Sequence, residues 1–144
     1  MPQRPVSQVI EQQEVVAVVR TATVMEAVHL MKARHIGALM VVESDRLVGI
    51  LSERDVVFRV VAEERDAKTT LVADVMTANP ETILPEKPFA HALHIMYEGG
   101  FRHVPVVDAN GRAVGMVSAR DALDLEEHEF EEALKQREHI RVIL

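Results

Sequence analysis

The chain has 144 residues, 48% of them apolar and 27% charged, which is enough apolar surface for a packed core and rules against disorder. Sixteen Lys and Arg against 23 Asp and Glu leave a net charge of −7, which argues against a general nucleic-acid binder but leaves room for a local basic site for one small anion. There is no cysteine, so disulfides, thiolate zinc sites and a cysteine nucleophile are excluded together. No apolar run approaches the ~20 residues of a membrane span, and the start "MPQRPVSQVI" lacks the apolar stretch of a signal peptide. A soluble, cytoplasmic protein is the expectation.

In chain order, "VVAVV" (15–19) is a β-branched run that reads as a strand. Thr23 then opens a helix whose Val24, Ala27, Val28 and Met31 recur at helical spacing. "IGALMVV" (36–42), the turn "ESDR" and "LVGIL" (47–51) form a hairpin, and "RDVVFRVVAEE" (54–64) a second helix. "EERDAKTT" (63–70) is polar and aperiodic and reads as a linker. The order then begins again: a strand at "ETIL" (81–84) and a helix carrying Phe89, Ala92, Leu93 and Met96 that stops at Gly99-Gly100. A hairpin of "HVPVV" (103–107), "DANGR" and "AVGMV" (113–117) follows, and then a helix from "RDALDLEEHE" (120–129) onward.

This is a duplication. A shift of 65 places Ala27 on Ala92, His29 on His94, Met31 on Met96 and Val41-Val42 on Val106-Val107. One extra residue in the second turn makes the shift 66, which sets Gly49, Ser52, Arg54 and Asp55 on Gly115, Ser118, Arg120 and Asp121. The expected fold is α/β (α+β): two β-α-β-β-α repeats packed about a pseudo-two-fold axis, plus a C-terminal helix. Repeat boundaries are set at 6–65 and 70–126, with a C-terminal amphipathic helix over 127–144. A unit this small leaves one sheet face bare and its twin is the natural cover, so equivalent clefts should lie between the halves.

The two phrases "GILSERD" (49–55) and "GMVSARD" (115–121) each close a strand and open a helix. Gly lets backbone or ligand approach closely. Ser sits where the first helical N–H groups lack partners, a place suited to phosphate, and Asp can accept from vicinal hydroxyls. A plain capping box is the competing reading, although such a box prefers Glu or Gln at its last position and requires neither the Gly nor the Arg.

Residues 6–126 resemble a tandem pair of cystathionine β-synthase (CBS) domains, a Bateman module. The resemblance lies in the two Gly-x-x-Ser-x-Arg-Asp phrases, "HVPVVD" (103–108), "ALMVVE" (38–43) and "VADVMT" (72–77). It implies that adenosine-containing ligands (AMP, ADP, ATP, NAD(H) or S-adenosylmethionine) bind between the halves. Asp55 and Asp121 would hold ribose hydroxyls, and Ser52 and Ser118 would lie near phosphate. Gly37, Ala38 and Leu39, and Arg102, His103, Val104 and Pro105, would contact adenine, largely through backbone. Thr82 adds a polar contact where the first copy has Ala17, and Arg102, His103 and Arg120 are phosphate partners, with Arg54 the counterpart of Arg120. Taken copy by copy, the first site comprises Ala17, Gly37, Ala38, Leu39, Ser52, Arg54 and Asp55. The second comprises Thr82, Arg102, His103, Val104, Pro105, Ser118, Arg120 and Asp121. Gly37-Ala38 stand in the place of Arg102-His103, and Met40 in that of Pro105, so the second site is expected to bind phosphate-bearing ligands more tightly.

His91 and His94 stand at i, i+3, but no carboxylate or third His completes a metal set. Nor does a nucleophile–base pair or a Walker loop appear, so the expectation is a regulatory module and not an enzyme. No cofactor is required beyond an adenine nucleotide as regulatory ligand. The partners expected are a homodimer, associating through residues 23–34 and 88–98, and a regulated protein the sequence does not identify; neither membrane nor nucleic acid is expected. Met25, Met31 and Met96 read as packing residues. Phe130, Ala133, Leu134 and Ile140 form a stripe expected to pack on the module or on a second chain. The alternative function is a purely structural oligomerisation module with non-functional clefts.

Overall fold

The computed structural model describes the backbone of residues 4–143 and the side chains of 4–125 and 127–137. In the first half, β1 (Ala17–Val19) pairs in parallel with β2 (Ala38–Glu43), which pairs antiparallel with β3 (Arg46–Ser52). The crossover is α2 (Val24–Arg34). Thr23 starts it with a full capping box: Thr23 Oγ1 accepts from Glu26 N at 3.1 Å, and Glu26 Oε2 accepts from Thr23 N at 3.3 Å. The β2–β3 turn puts Ser44 and Asp45 at φ 52° and 66°, the left-handed pair that matches the twist of a two-residue hairpin. The second half repeats this with α5 (Phe89–Gly99), β5 (His103–Val107) and β6 (Ala113–Ser118). Gly100, at φ 71°, closes α5.

Two elements depart from the sequence expectation. "ETIL" makes one parallel bridge, Ile83 to Val106, and not a strand. Ile83 N–H donates to the Pro105 carbonyl and Val107 N–H to the Ile83 carbonyl, both at 3.1 Å. The next parallel bonds on either side would need N–H groups from Pro105 and Pro85, which have none. The helix after β3 is likewise not uniform. α3 (Glu53–Asp55) widens into a π-helix over Val56–Val61, four of whose six residues are Val. Branched side chains crowd the i+3 and i+4 rows of an α-helix, and the wider turn relieves that crowding.

The leading segments of the two repeats are exchanged. α1 (Val6–Val9), which opens the first repeat, buries Val6 in the second core with Ile83, Phe89, Ala92, Met96, Val104, Val106 and Val117. α4 (Val72–Val75), which opens the second repeat, buries Val72 and Val75 in the first core with Val24, Ala27, Met31, Leu39, Val41, Leu51 and Val60. The backbone ties match: Val6 N–H to the Lys87 carbonyl and Val72 N–H to the Ala22 carbonyl, each 2.8 Å. β4 (Thr77–Ala78) then adds an edge strand to β3. The pseudo-two-fold axis passes between the hairpin turns, where the repeat-equivalent Arg46 and Arg112 bridge each other.

This exchange accounts for the glycine of each repeated phrase. A Cβ on Gly115 would lie 2.9 Å from Ile10 Cδ1, and one on Gly49 2.5 Å from Met76 Sδ. The close approach is therefore made by the exchanged segment, not by a ligand. Gly115→Ala should cost about 1–3 kcal/mol through overpacking, read as a lower urea midpoint with an unchanged slope; equal stability would show that Ile10 moves aside freely.

α6 (Ala119–Ile143) runs without a break from the second repeat into the C-terminal segment. Every described side chain from Glu127 to Arg137 on it is exposed, Phe130 and Leu134 included. Among the described residues this stripe does not pack on the module; the Ile140 side chain and Leu144 lie outside the described residues. Among the described residues no helix is long and apolar enough to cross a membrane.

Candidate functional site

Each repeated phrase lies on its expected strand-to-helix turn, and each aspartate turns one oxygen back to its own serine. Asp55 Oδ2 accepts from Ser52 N at 2.9 Å and Ser52 Oγ at 3.1 Å, while Ser52 Oγ accepts from Asp55 N at 3.2 Å. Asp121 Oδ2 accepts from Ser118 N at 2.7 Å and Ser118 Oγ at 3.4 Å. Capping is therefore real and occupies half of each carboxylate. The other oxygens differ. Asp55 Oδ1 lies 3.7 Å from Arg59 Nε, whereas no described residue donates to Asp121 Oδ1.

A cleft of about 800 Å³ at Asp121 is walled by Ser118, Ala119 and Arg120 on one side and by Val16, Gly37, Ala38 and Met40 of the first half on the other. Gln13 and Glu14 close one end. The Gln13 amide clamps the Met116 backbone, donating to its carbonyl at 2.8 Å and accepting from its N–H at 3.1 Å. Glu14 is paired with Arg34. A second cleft, about 540 Å³, gathers Ser52, Arg54, Asp55 and Arg59 with Thr77, Pro80, Glu81 and Phe101. Gly37, Glu53, Arg102 and His103 line both clefts, so a single polar wall divides them. Both volumes are in the range of small-molecule sites.

The Asp121 cleft brings together Arg102, His103, Ser118, Arg120 and Asp121 of the second list and adds Gly37 and Ala38 of the first. The Asp55 cleft brings together Gly37, Ser52, Arg54 and Asp55 of the first list and adds Arg102 and His103 of the second. Leu39 and Val104 have no exposed surface and belong to the two cores. Pro105 is buried as well and gives its carbonyl to Ile83. Alternation along β2 and β5 explains the burial of Leu39 and Val104, since neighbouring side chains face opposite ways; Pro105 shares a face with His103 but lines neither cleft. Ala17 and Thr82 line neither cleft, though their neighbours do: Val16 at Asp121 and Glu81 at Asp55.

Several lining residues were not expected from sequence. Arg59 had a readable signal, being four residues after Asp55 on a helix. Gln13, Glu14 and Thr77 had none, because only the exchange of segments brings them to the clefts. Among the described residues no cluster of three or more His, Asp or Glu could hold a metal ion; His94 lies 3.7 Å from Glu98 across one helical turn.

Burial holds the His103 imidazole below its usual 6.5; Glu53 and Asp121 pull it partly back up, and Arg102 pushes it further down. The native state thus resists a proton that the unfolded chain accepts. Stability is untouched above pH 6.5, falls as the pH drops below 6.5 toward the lowered native value, and levels off beneath that value. His103→Gln should flatten this limb in urea midpoints taken between about pH 8 and pH 5; an unaltered slope would assign the pH dependence elsewhere.

A duplicated α-β-β-α unit, led by a strand in the first copy and a single parallel bridge in the second, with paired clefts at equivalent Ser-x-Arg-Asp turns, is a tandem module of the CBS type. The CBS domain family model matches residues 6–62 and 72–128, and the chain belongs to that family, with two copies. The mitochondrial CBS domain-containing protein CBSX3 of Arabidopsis thaliana is 36% identical over 119 residues, covering 79% of this chain and 57% of its own length. The CBS domain protein PAE2072 from Pyrobaculum aerophilum, complexed with AMP, superposes with a TM-score of 0.72 at 28% identity, covering 82% of this chain and 89% of its own. The CBS domain pair of MJ0100, in complex with 5′-methylthioadenosine and S-adenosyl-L-methionine, gives a TM-score of 0.78 at 25% identity, covering 89% and 99%. The chain spans at most 59% of the length of the first curated relatives it matches.

Proposed function

We propose that this chain is a regulatory module that senses adenosine-containing nucleotides in its two clefts and passes their occupancy to a partner protein. The observation that carries the reading is Asp121 at the cleft mouth: one oxygen is fixed by the Ser118 cap, and the other accepts from no described residue, which leaves it for the hydroxyls of a ribose. The α6 N-terminus, Arg120 and Arg102 supply positive charge for phosphate beside it. The AMP and S-adenosylmethionine held by structural neighbours support the ligand class. Binding shifts an existing equilibrium between arrangements of the halves, with no chemistry on the ligand and no cofactor.

The test is a thermal-shift and calorimetric screen of AMP, ATP, NADH and S-adenosylmethionine. A ligand at about a hundredfold its Kd adds about 2.7 kcal/mol of stability. No shift with any of them would transfer the module to the alternative, a structural oligomerisation unit.

Self-association into a homodimer belongs to the same reading. The exposed apolar side chains are concentrated on the π-helix, at Val57, Phe58 and Val61, and on α6, with only Tyr97 on α5 and none on α2. The expected interface therefore moves from residues 23–34 and 88–98 to the helices that follow β3 and β6. Sedimentation at micromolar concentration distinguishes monomer from dimer.

A further inference from the structure

Arg59 makes the two clefts chemically unlike. Its Nε is 3.7 Å from Asp55 Oδ1, and its Nη1 donates to the Val75 and Met76 carbonyls, both at 3.1 Å. Asp55 Oδ2 already accepts two bonds from Ser52, so the lone pairs left for a ligand are those of Oδ1. With the guanidinium against it, Oδ1 has room for one hydroxyl and not for two. The equivalent residue in the second half is Leu125, which has nothing to donate. The Asp55 side chain is 12% exposed and that of Arg59 51%, so the arginine is the partner free to swing away. Its carbonyl acceptors belong to the exchanged segment, with Val75 in the first core and Met76 over Gly49.

We propose that Arg59 determines the selectivity of the Asp55 cleft: a vicinal diol must displace its guanidinium from Asp55 Oδ1, and that displacement releases the Val75 and Met76 carbonyls, so that α4 registers the occupancy of this cleft. The Asp121 cleft takes the same diol without any displacement. The two clefts then differ in what binding does as well as in how tightly they bind. The inference rests on the reading of both aspartates as ribose-binding groups.

The experiment uses the full chain carrying Asp121→Asn, so that only the Asp55 cleft keeps its carboxylate, with adenosine and 2′-deoxyadenosine as phosphate-free probes. Adding Arg59→Leu should raise adenosine affinity about tenfold and leave 2′-deoxyadenosine within about twofold. Arg59→Gln keeps a donor for the carbonyls while removing the charge, and it should give the same gain without loosening α4. In the protein that retains Arg59, adenosine should speed amide hydrogen exchange at Met76, whose N–H donates to the Val72 carbonyl; in the Arg59→Leu protein exchange should already be fast. Weaker adenosine binding, or equal effects on both nucleosides, would overturn the displacement and make Arg59 a direct contact or a structural tie. Unchanged exchange at Met76 would overturn the coupling to α4. Loss of adenosine binding in the unsubstituted protein as well would mean that the ribose reading itself has failed.

Discussion

Asp121→Asn should remove the tighter of two AMP-binding phases, lowering affinity at that cleft by about a hundredfold, and Asp55→Asn should cost markedly less. Two ribose hydroxyls donating to a carboxylate are charge-assisted hydrogen bonds of about 1.5 kcal/mol or more each, and a loss of about 3 kcal/mol is about two decades in Kd. Asn is the informative replacement because its amide oxygen can still accept from the Ser118 N–H and keep the helix cap; an unchanged melting temperature without ligand checks this. The inequality follows from what surrounds each acid. Asp121 Oδ1 meets no described donor, and among the described residues Arg120 has no ion-pair or hydrogen-bond partner. Asp55 is opposed by Arg59, Arg54 is spent on the Gly100 carbonyl at 3.4 Å, and Glu81 adds negative charge to that cleft. Calorimetric titration of the two single variants decides it: a larger loss from Asp55→Asn would reverse the ranking of the clefts.

The features legible in the sequence were those carried by short-range patterns. Val24, Ala27 and Met31, with Phe89, Ala92 and Met96, stand on the buried faces of α2 and α5 where their helical spacing puts them. The duplication placed Asp55 and Asp121 at equivalent turns because a repeat constrains both copies at once. What the sequence could not disclose was exchange. Nothing local indicates that Val6 belongs to the core of the second repeat and Val72 to that of the first, since adjacency along the chain is the natural assumption and two equivalent packings satisfy the same pattern. From that one omission followed the open choice between backbone and ligand as the group approaching Gly49 and Gly115, and the absence of Gln13, Glu14 and Thr77 from the site. The shortfall at "ETIL" is of another kind. Pro85 and Pro105 are visible in the sequence, but their effect on the ladder depends on the register that sets Ile83 against Val106.

The same register question decides the role of Leu39. If the Leu39 side chain touched ligand, its truncation would weaken binding and leave the fold alone. As a fully buried member of the first core, with Leu51, Val41 and Val72 around it, it should behave otherwise. Leu39→Ala removes three carbons from a fully buried site, and such truncations cost about 2–5 kcal/mol. That is a large part of the 5–15 kcal/mol by which a domain of this size is usually stable, and it should lower the melting temperature by roughly 10 °C. Ala38, one residue earlier on the opposite face of β2, does line the Asp121 cleft, so Ala38→Leu supplies the converse: nucleotide affinity should fall with much less change in stability. Urea unfolding and AMP titration on the two variants separate the faces. Weakened binding by a Leu39→Ala protein that unfolds at the original urea midpoint would return Leu39 to the ligand and place β2 one residue out of register.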